Sequence, residues 1–371
     1  MTTIRSLTSR LQRVPLTRPW AADVTSVGII ATHVVRSDGG EGWGFSWSPQ
    51  IGAPAVQSLL QHDIAPASVG RPAVPGEAWQ SLWEHLHEAG GGGITTIALA
   101  GLDLALWDAE ARAADTSVSR LIGRRRERVR AYGSGVNLHY PLDELLAQVQ
   151  RWIDAGFDAV KIKVGKPDLS EDIERVAAVR ALLGPDRALM IDANQRWDLD
   201  RATTSIDALS RFDLAWIEEP LRADDLIGHT ELARRIDVPI AVGENLHTVH
   251  RFADFLRAGA AQIVQPNIVR VGGITPLLRI AGLAAAHGVA LHPHLLPELS
   301  GQLALTLPDT ASEPLVEDVE DAGFGALGAL ADPSPVTVAG GFLTENEHHG
   351  LGIRFSPVLG DEAGRLSLIH I

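Results

Sequence analysis

The feature that most constrains the fold is a repeat. Eight short apolar runs, at 129–132, 159–164, 188–192, 214–218, 240–244, 262–267, 289–294 and 314–317, alternate with helix-like stretches such as 142–155, 170–183, 201–210 and 274–287. A strand plus a helix every roughly 25 to 30 residues, eight times over, predicts an α/β chain with a (β/α)8 barrel of the TIM type. The seventh and eighth units are the least regular. A doubly wound open sheet is the rival, but it offers no reason for eight evenly spaced units.

The flanks lack this period. Residues 26–48 alternate apolar and polar around Gly39-Gly40 and read as a hairpin. Residues 76–120 read as helices, with the glycine run 90–93 as a mobile joint before a helix over 97–111. The expected organisation is an α+β capping domain over 1–127, a barrel over 128–320, and a tail over 321–371 that folds back on the cap. Arg124, Arg125, Arg126, Arg128 and Arg130 read as a solvated connector.

The net charge of −14 argues against nucleic acid, which needs a basic surface. No cysteine is present, so disulfides, thiolate metal sites and cysteine nucleophiles are excluded. The first residues spread Arg5, Arg10, Arg13 and Arg18 among polar neighbours, unlike a signal peptide, and no stretch has the length and apolarity of a membrane span. The expectation is a cytoplasmic enzyme with a small-molecule partner and no membrane or nucleic-acid partner.

The polar residues end the apolar runs: Lys161 and Lys163, Asp192, Glu218, Glu244, Asn267, His294 and Glu317. In a parallel barrel the strand C-termini share one face, where active sites form. Asp192, Glu218 and Glu244 are spaced 26 residues apart, so they arise on consecutive strands and converge. Such carboxylates repel unless a hard cation joins them, and oxygen donors favour Mg²⁺, with Mn²⁺ as the alternative. Lys161 and Lys163 lie on one side of a strand. Two ammonium groups near a cation lower each other's pKa, which makes a lysine a general base. His294 lies five strands further round and can face Lys163. His292 has the same parity but sits deeper, as a structural residue.

These residues resemble the enolase superfamily in its mandelate racemase subgroup. The resemblance is carried by Lys161-Ile162-Lys163, Asp192-Ala193-Asn194, Trp216-Ile217-Glu218-Glu219-Pro220, Gly243-Glu244-Asn245 and His294-Leu295-Leu296-Pro297-Glu298. Leu102-Asp103-Leu104-Ala105-Leu106-Trp107-Asp108 looks like the helix common to the family's capping domain. The resemblance implies Mg²⁺ on Asp192, Glu218 and Glu244, and a substrate carboxylate on the metal and Lys161. Lys163 and His294 would move the α-proton on opposite faces. Glu317, with Glu313 as the alternative register, would donate a hydrogen bond to the carboxylate oxygen. It also implies a homo-oligomer.

One position departs from the subgroup, which ends its sixth strand in an aspartate paired with the histidine. Here it is Asn267, whereas the muconate-cycloisomerase-like subgroup would place a lysine there. An asparagine orients the ring without stabilising its charge, which predicts a less basic His294, suited to an acid or a positioning donor. The favoured outcome is therefore a lyase, dehydrating an aldonate or aldarate to a 2-keto-3-deoxy acid. Racemisation or epimerisation of a 2-hydroxy acid is the runner-up, then sugar-lactone cycloisomerisation. Specificity is expected from the cap: Arg18 for a second carboxylate, or Trp20 and Trp47 for a less polar pocket, together with Asn194 from the barrel.

Overall fold

The computed structural model describes residues 1–21, 23–49 and 51–356. Strands β1 (Ile4–Pro15), β2 (Ser26–Arg36) and β3 (Glu41–Ser48) form an antiparallel sheet in that order. The hairpin read at 26–48 is β2–β3. The sequence reading passed over β1. Its exposed Arg5, Arg10 and Arg13 mask a strand whose Ile4, Leu7 and Val14 are buried. The helix Ile94–Ala113 lies against this sheet and is buried along most of its length. Close approach needs glycine here: a Cβ on Gly42 would stand 2.0 Å from Ala105 O, and one on Gly44 2.4 Å from Gly101 O.

The barrel strands are β4 (Arg128–Ser134), β5 (Ala159–Lys163), β6 (Ala188–Asp192), β7 (Leu214–Glu218), β8 (Ile240–Val242), β9 (Ile263–Val264), β10 (Ala290–Leu291) and β11 (Leu315–Val319). Neighbours pair in parallel from β4 to β10, and β11 closes onto β4. The seam between β10 and β11 has no backbone ladder among the described residues. Instead His292 Nδ1 accepts from Leu315 N at 3.1 Å. Burial pushes His292 down to about 4, so the ring is neutral and free to accept. Helices follow the first seven barrel strands, and among the described residues none follows β11. Within those residues, the irregularity expected in the last units is the lack of an eighth helix.

The barrel floor is a plug of inward-facing Tyr132, Ala159, Met190, Trp216, Ala241, Ile263 and Ala290, a mixture of large and small side chains. The opposite parity packs outward against the helices, as with Val160, Ile162, Ile191 and Ile217. Helix starts are set locally. Asp168, Asp198, Asp225 and Thr248 cap the helices Leu169–Leu183, Leu199–Ser210, Leu226–Leu232 and Val249–Ala258 with their side chains.

Two expectations change. The tail does not pack on the cap alone: β12 (Val336–Ala339) and β13 (Phe342–Glu345) form a hairpin, and β13 pairs antiparallel with β4. The tail also reaches the cap at several points: the Phe324 ring lies 5.2 Å from Phe45, Ser119 Oγ donates to Glu345 at 2.7 Å, and Leu351 N donates to Asp108 Oδ1 at 2.7 Å. The arginine cluster is a solvated connector only in part: Arg125, Arg128 and Arg130 are exposed, while Arg124 and Arg126 are anchored. Arg126 Nη1 donates to Ala304 O and Leu307 O at 2.6 and 2.8 Å, satisfying carbonyls at the end of the helix Pro297–Ala304. Arg124 pairs with Glu345 at 3.1 Å. The cap docks on the barrel through Asp103, which accepts from Thr275 N and Oγ1 at 2.9 and 2.5 Å at the start of the helix Ile274–His287.

Candidate active site

Two residues beyond each plug position, strand alternation brings Ser134, Lys161, Asp192, Glu218, Gln265 and His292 to the barrel interior. One layer higher come Lys163, Asn267 and His294. Glu244 breaks this rule. Ala241 faces the plug, so strict alternation would turn Glu244 outward. Gly243 reverses it with φ +149°, and a Cβ there would stand 2.6 Å from the Gln265 backbone. Only glycine admits both the angle and the contact. Asn194, Gln195, Glu219, Leu295 and Leu296 also have positive φ, all just beyond barrel strands. Each such residue costs about 1–3 kcal/mol, held in place by the surrounding packing.

Lys161 Nζ lies 2.6 Å from Glu218 Oε2, 2.8 Å from Glu317 Oε1 and 3.9 Å from Asp192 Oδ2, fully buried. Lys163 Nζ lies 2.5 Å from Asp192 Oδ2, and its backbone N donates to Asn137 Oδ1 at 2.9 Å. The lysines do repel, but not decisively. Burial lowers the Lys163 pKa and Asp192 raises it; Lys161 opposes more weakly, and the balance is upward. Lys161 also ends well above its usual value: burial lowers it, but Glu218 and Glu317 win. The expected mutual depression is thus overridden by carboxylates.

Glu317 is likewise not the expected hydrogen-bond donor. It accepts from Ser134 Oγ at 2.7 Å and Leu295 N at 3.2 Å, besides Lys161. Burial would raise its pKa, but Lys161 and His294 hold it down at about 2, so it is a carboxylate. Glu218 is pushed up to about 7 by burial, against the pull of Lys161, and its Oε1 is buried without a partner.

His294 Nε2 lies 2.9 Å from Glu244 Oε2 and 3.3 Å from Glu317 Oε2. Its Nδ1 is 3.3 Å from Asn267 Nδ2. The amide orientation follows from the network: Arg270 N donates to Asn267 Oδ1 at 3.1 Å, so the amide NH₂ faces the ring. Nδ1 must then accept, and Nε2 carries the proton. Burial disfavours the imidazolium, while Glu244 and Glu317 favour it more strongly, so His294 is raised and not less basic as expected. Asn267 opposes that charge geometrically, because an Nδ1–H would face another donor.

The residues fit a divalent cation on their own chemistry. One donor atom each of Glu218, Glu244 and His294 lie within 4.8 Å of one another. Asp192 adjoins Glu218 in register on the neighbouring strand. Asn194 bridges two of the acids, donating from Nδ2 to Asp192 Oδ2 at 3.4 Å and to Glu244 Oε1 at 3.3 Å. Converging buried carboxylates with an orphan Glu218 Oε1 suit a hard ion. His294 is the weaker donor, since its Nε2 lone pair is occupied by the proton.

The mouth holds two adjoining cavities. The inner one, about 200 Å³, is lined by Lys163, Glu244, His294 and Glu317 below and by Trp20, Trp47 and Pro49 of the cap above. The two tryptophan rings lie 6.2 Å apart. The outer one, about 710 Å³, shares Trp20, Val136, Lys163 and Asn194 and adds Arg18, His139, Lys166 and Arg196. Arg18 is already engaged: it pairs with Glu144 and stacks 3.7 Å over the Tyr140 ring.

Sequence reasoning missed several polar partners. Glu219, buried beside Asn245, accepts from its Nδ2 at 2.7 Å. Ser134, Asn137, Arg270 and Arg196 also escaped it. Only Ser134 carried a signal, the inward parity of β4.

The fold and site define an enzyme class, and the comparisons agree. Residues 5–123 match the mandelate racemase/muconate lactonizing enzyme N-terminal domain, and residues 144–358 match the enolase C-terminal domain-like family. The chain belongs to the mandelate racemase/muconate lactonizing enzyme family of the enolase superfamily. It is 37% identical over 341 residues to the 3,6-anhydro-alpha-L-galactonate cycloisomerase of Streptomyces coelicolor, covering 92% of this chain and 91% of that one. It is 36% identical to the L-talarate/galactarate dehydratase of Salmonella typhimurium, covering 90% and 82%. The structure of L-talarate dehydratase from Polaromonas sp. JS666, complexed with Mg and L-glucarate, aligns at a TM-score of 0.87 and 36% identity, covering 96% of each chain.

Proposed function

We propose that this protein is an Mg²⁺-dependent acid-sugar dehydratase, converting an aldonate or aldarate to a 2-keto-3-deoxy acid. Asp192, Glu218 and Glu244 would hold the cation. When bound, it supplies positive charge against which the substrate carboxylate and the developing enediolate are stabilised, and it offsets the carboxylate charge that favours protonated Lys163.

Lys161, charged between Glu218 and Glu317, faces the substrate carboxylate. Neutral Lys163 takes the α-proton onto Nζ, breaking the C2–H bond and leaving an enediolate. His294 gives its Nε2 proton to the hydroxyl on the β-carbon, which departs as water. The C3–O bond breaks, the C2–C3 double bond forms, and the resulting enol tautomerises to the ketone.

The observation that carries this choice is the hydrogen bonding at Asn267. With Arg270 N on Oδ1 and the amide NH₂ on His294 Nδ1, the histidine is a proton donor at Nε2. That suits departure of hydroxide and disfavours a second base. A dehydratase among the relatives supports the same reading. A cycloisomerase at 37% identity favours ring opening as the second reading, in which the same proton goes to a ring oxygen.

Proton NMR in D₂O with Mg²⁺ and a panel of hexarates, hexonates and pentonates tests it. Loss of the C2 proton with a new deoxygenated C3 signal is expected. Exchange at C2 with the skeleton intact overturns dehydration in favour of epimerisation. The reading also includes a cytoplasmic homo-oligomer serving carbohydrate-acid breakdown. Among the described residues, no helix is long and apolar enough to cross a membrane.

A further inference from the structure

The outer cavity carries more charge than the reaction needs. Among the described residues its lining holds Arg18, Lys163, Lys166 and Arg196, and no carboxylate. The chain has 46 acidic residues against 32 basic ones, so an acid-free, cation-rich wall is selective. The cavity joins the inner one through Lys163 and Asn194, so an extended substrate can reach from one into the other.

The cations differ in how far they are already satisfied. Arg18 is paired with Glu144 and stacked on Tyr140. Lys166 Nζ is 3.6 Å from the half-exposed Glu171, a loose pair. The Arg196 side chain makes no hydrogen bond or ion pair with any described residue. It lies against Gly165, where a Cβ would stand 2.8 Å from Arg196 Cδ. An unpaired guanidinium offers a planar fork matched to a carboxylate.

We infer that Arg196 and Lys166 receive a second carboxylate at the far end of the substrate, which makes the preferred substrate a dicarboxylic acid sugar. This rests on the acid-sugar reading above and narrows it from acid sugars in general to hexarates. A neutral hydroxymethyl terminus, or the ring of an anhydro-sugar acid, would leave Arg196 without a counter-charge. Both groups sit at a solvent-open rim, so the selectivity expected is moderate.

Two measurements separate this inference from the reaction itself. The first is kcat/KM for matched pairs, a hexarate against the hexonate of the same configuration. Wild type should favour the hexarate by about tenfold or more. Arg196→Ala and Lys166→Ala should each remove most of that preference, leave the hexonate nearly unchanged, and act on KM more than on kcat. Arg196→Lys should restore part of it.

The second is calorimetric binding of adipate and hexanoate with Mg²⁺ present, ligands that have no hydroxyl to expel. Adipate should bind more tightly in wild type and lose that advantage in Arg196→Ala. If no acid sugar is dehydrated but the adipate preference holds and depends on Arg196, the dehydratase reading falls and the distal carboxylate site stands. Equal binding of adipate and hexanoate, or an Arg196→Ala loss shared equally by hexarate and hexonate, overturns the inference.

Discussion

Replacing Asn267 by aspartate should reverse the proton arrangement on His294. Asn267 now spends Oδ1 on Arg270 N and presents its NH₂ to His294 Nδ1. Aspartate keeps the first bond and turns the second group into an acceptor. His294 must then carry its proton on Nδ1, and Nε2 gains a lone pair. The neutral amide–imidazole bond lost is worth about 1 kcal/mol, and the carboxylate–imidazole bond gained about 2–3 kcal/mol. The tautomer ratio therefore swings by about 3 kcal/mol, roughly a hundredfold. The assay is deuterium exchange at C2, followed by NMR, for the two C2 epimers of one acid sugar. Asn267→Asp should speed exchange of the epimer presenting its proton to His294 by about tenfold to a hundredfold. The Lys163 side should change by less than about threefold. An unchanged rate on the His294 side would refute the tautomer argument. So would a wild type that already exchanges both epimers equally.

Other perturbations probe the rest of the structure. Gly243→Ala puts a Cβ 2.6 Å from the Gln265 backbone and forbids φ +149°, so stability should fall by about 3 kcal/mol or more and kcat/KM at least a hundredfold, read by thermal unfolding and kinetics. Removing Mg²⁺ with a chelator should abolish C2 exchange, and restoring it at about a hundred times its Kd should stabilise the fold by about 2.7 kcal/mol, a shift absent in Asp192→Asn and Glu244→Gln. Exchange that persists in the chelator would count against the metal assignment. Burial holds Asp103 at about 7 against an ordinary 3.8, partly offset by its bonds from Thr275, so the folded protein keeps this proton where the unfolded chain has lost it. The stability this contributes is complete below pH 3.8 and is lost as pH rises through 7. Between pH 5 and 7 wild type should lose about 2 kcal/mol relative to Asp103→Asn, measured by urea unfolding.

The sequence by itself determined the barrel and the identity of its mouth. Strand parity is local, so an apolar run ending in Lys161 and Lys163, Asp192 or Glu218 already says which side chains enter the centre. The same period exposed the irregular last units. Motif resemblance then reached the family, because these residue types at these strand ends are specific in combination. The strand β1 was hidden by its exposed arginines, since an edge strand with one buried face shows only a broken alternation.

What only the tertiary structure decided depends on contacts between residues far apart in the chain. Glu244 enters the mouth because Gly243 turns under the Gln265 backbone. The donor role of His294 is set by Arg270 acting through Asn267. Carboxylates from neighbouring strands raise the pKa of both lysines against their mutual repulsion, the charge that a cation on those carboxylates would offset at Lys163. Arg18 is occupied by Glu144 while Arg196 has no side-chain partner among the described residues, and no local pattern distinguishes these two arginines. Charge balance, tautomer and free valence are properties of an assembled neighbourhood, and the chain acquires them only when the strands close into a barrel under the cap.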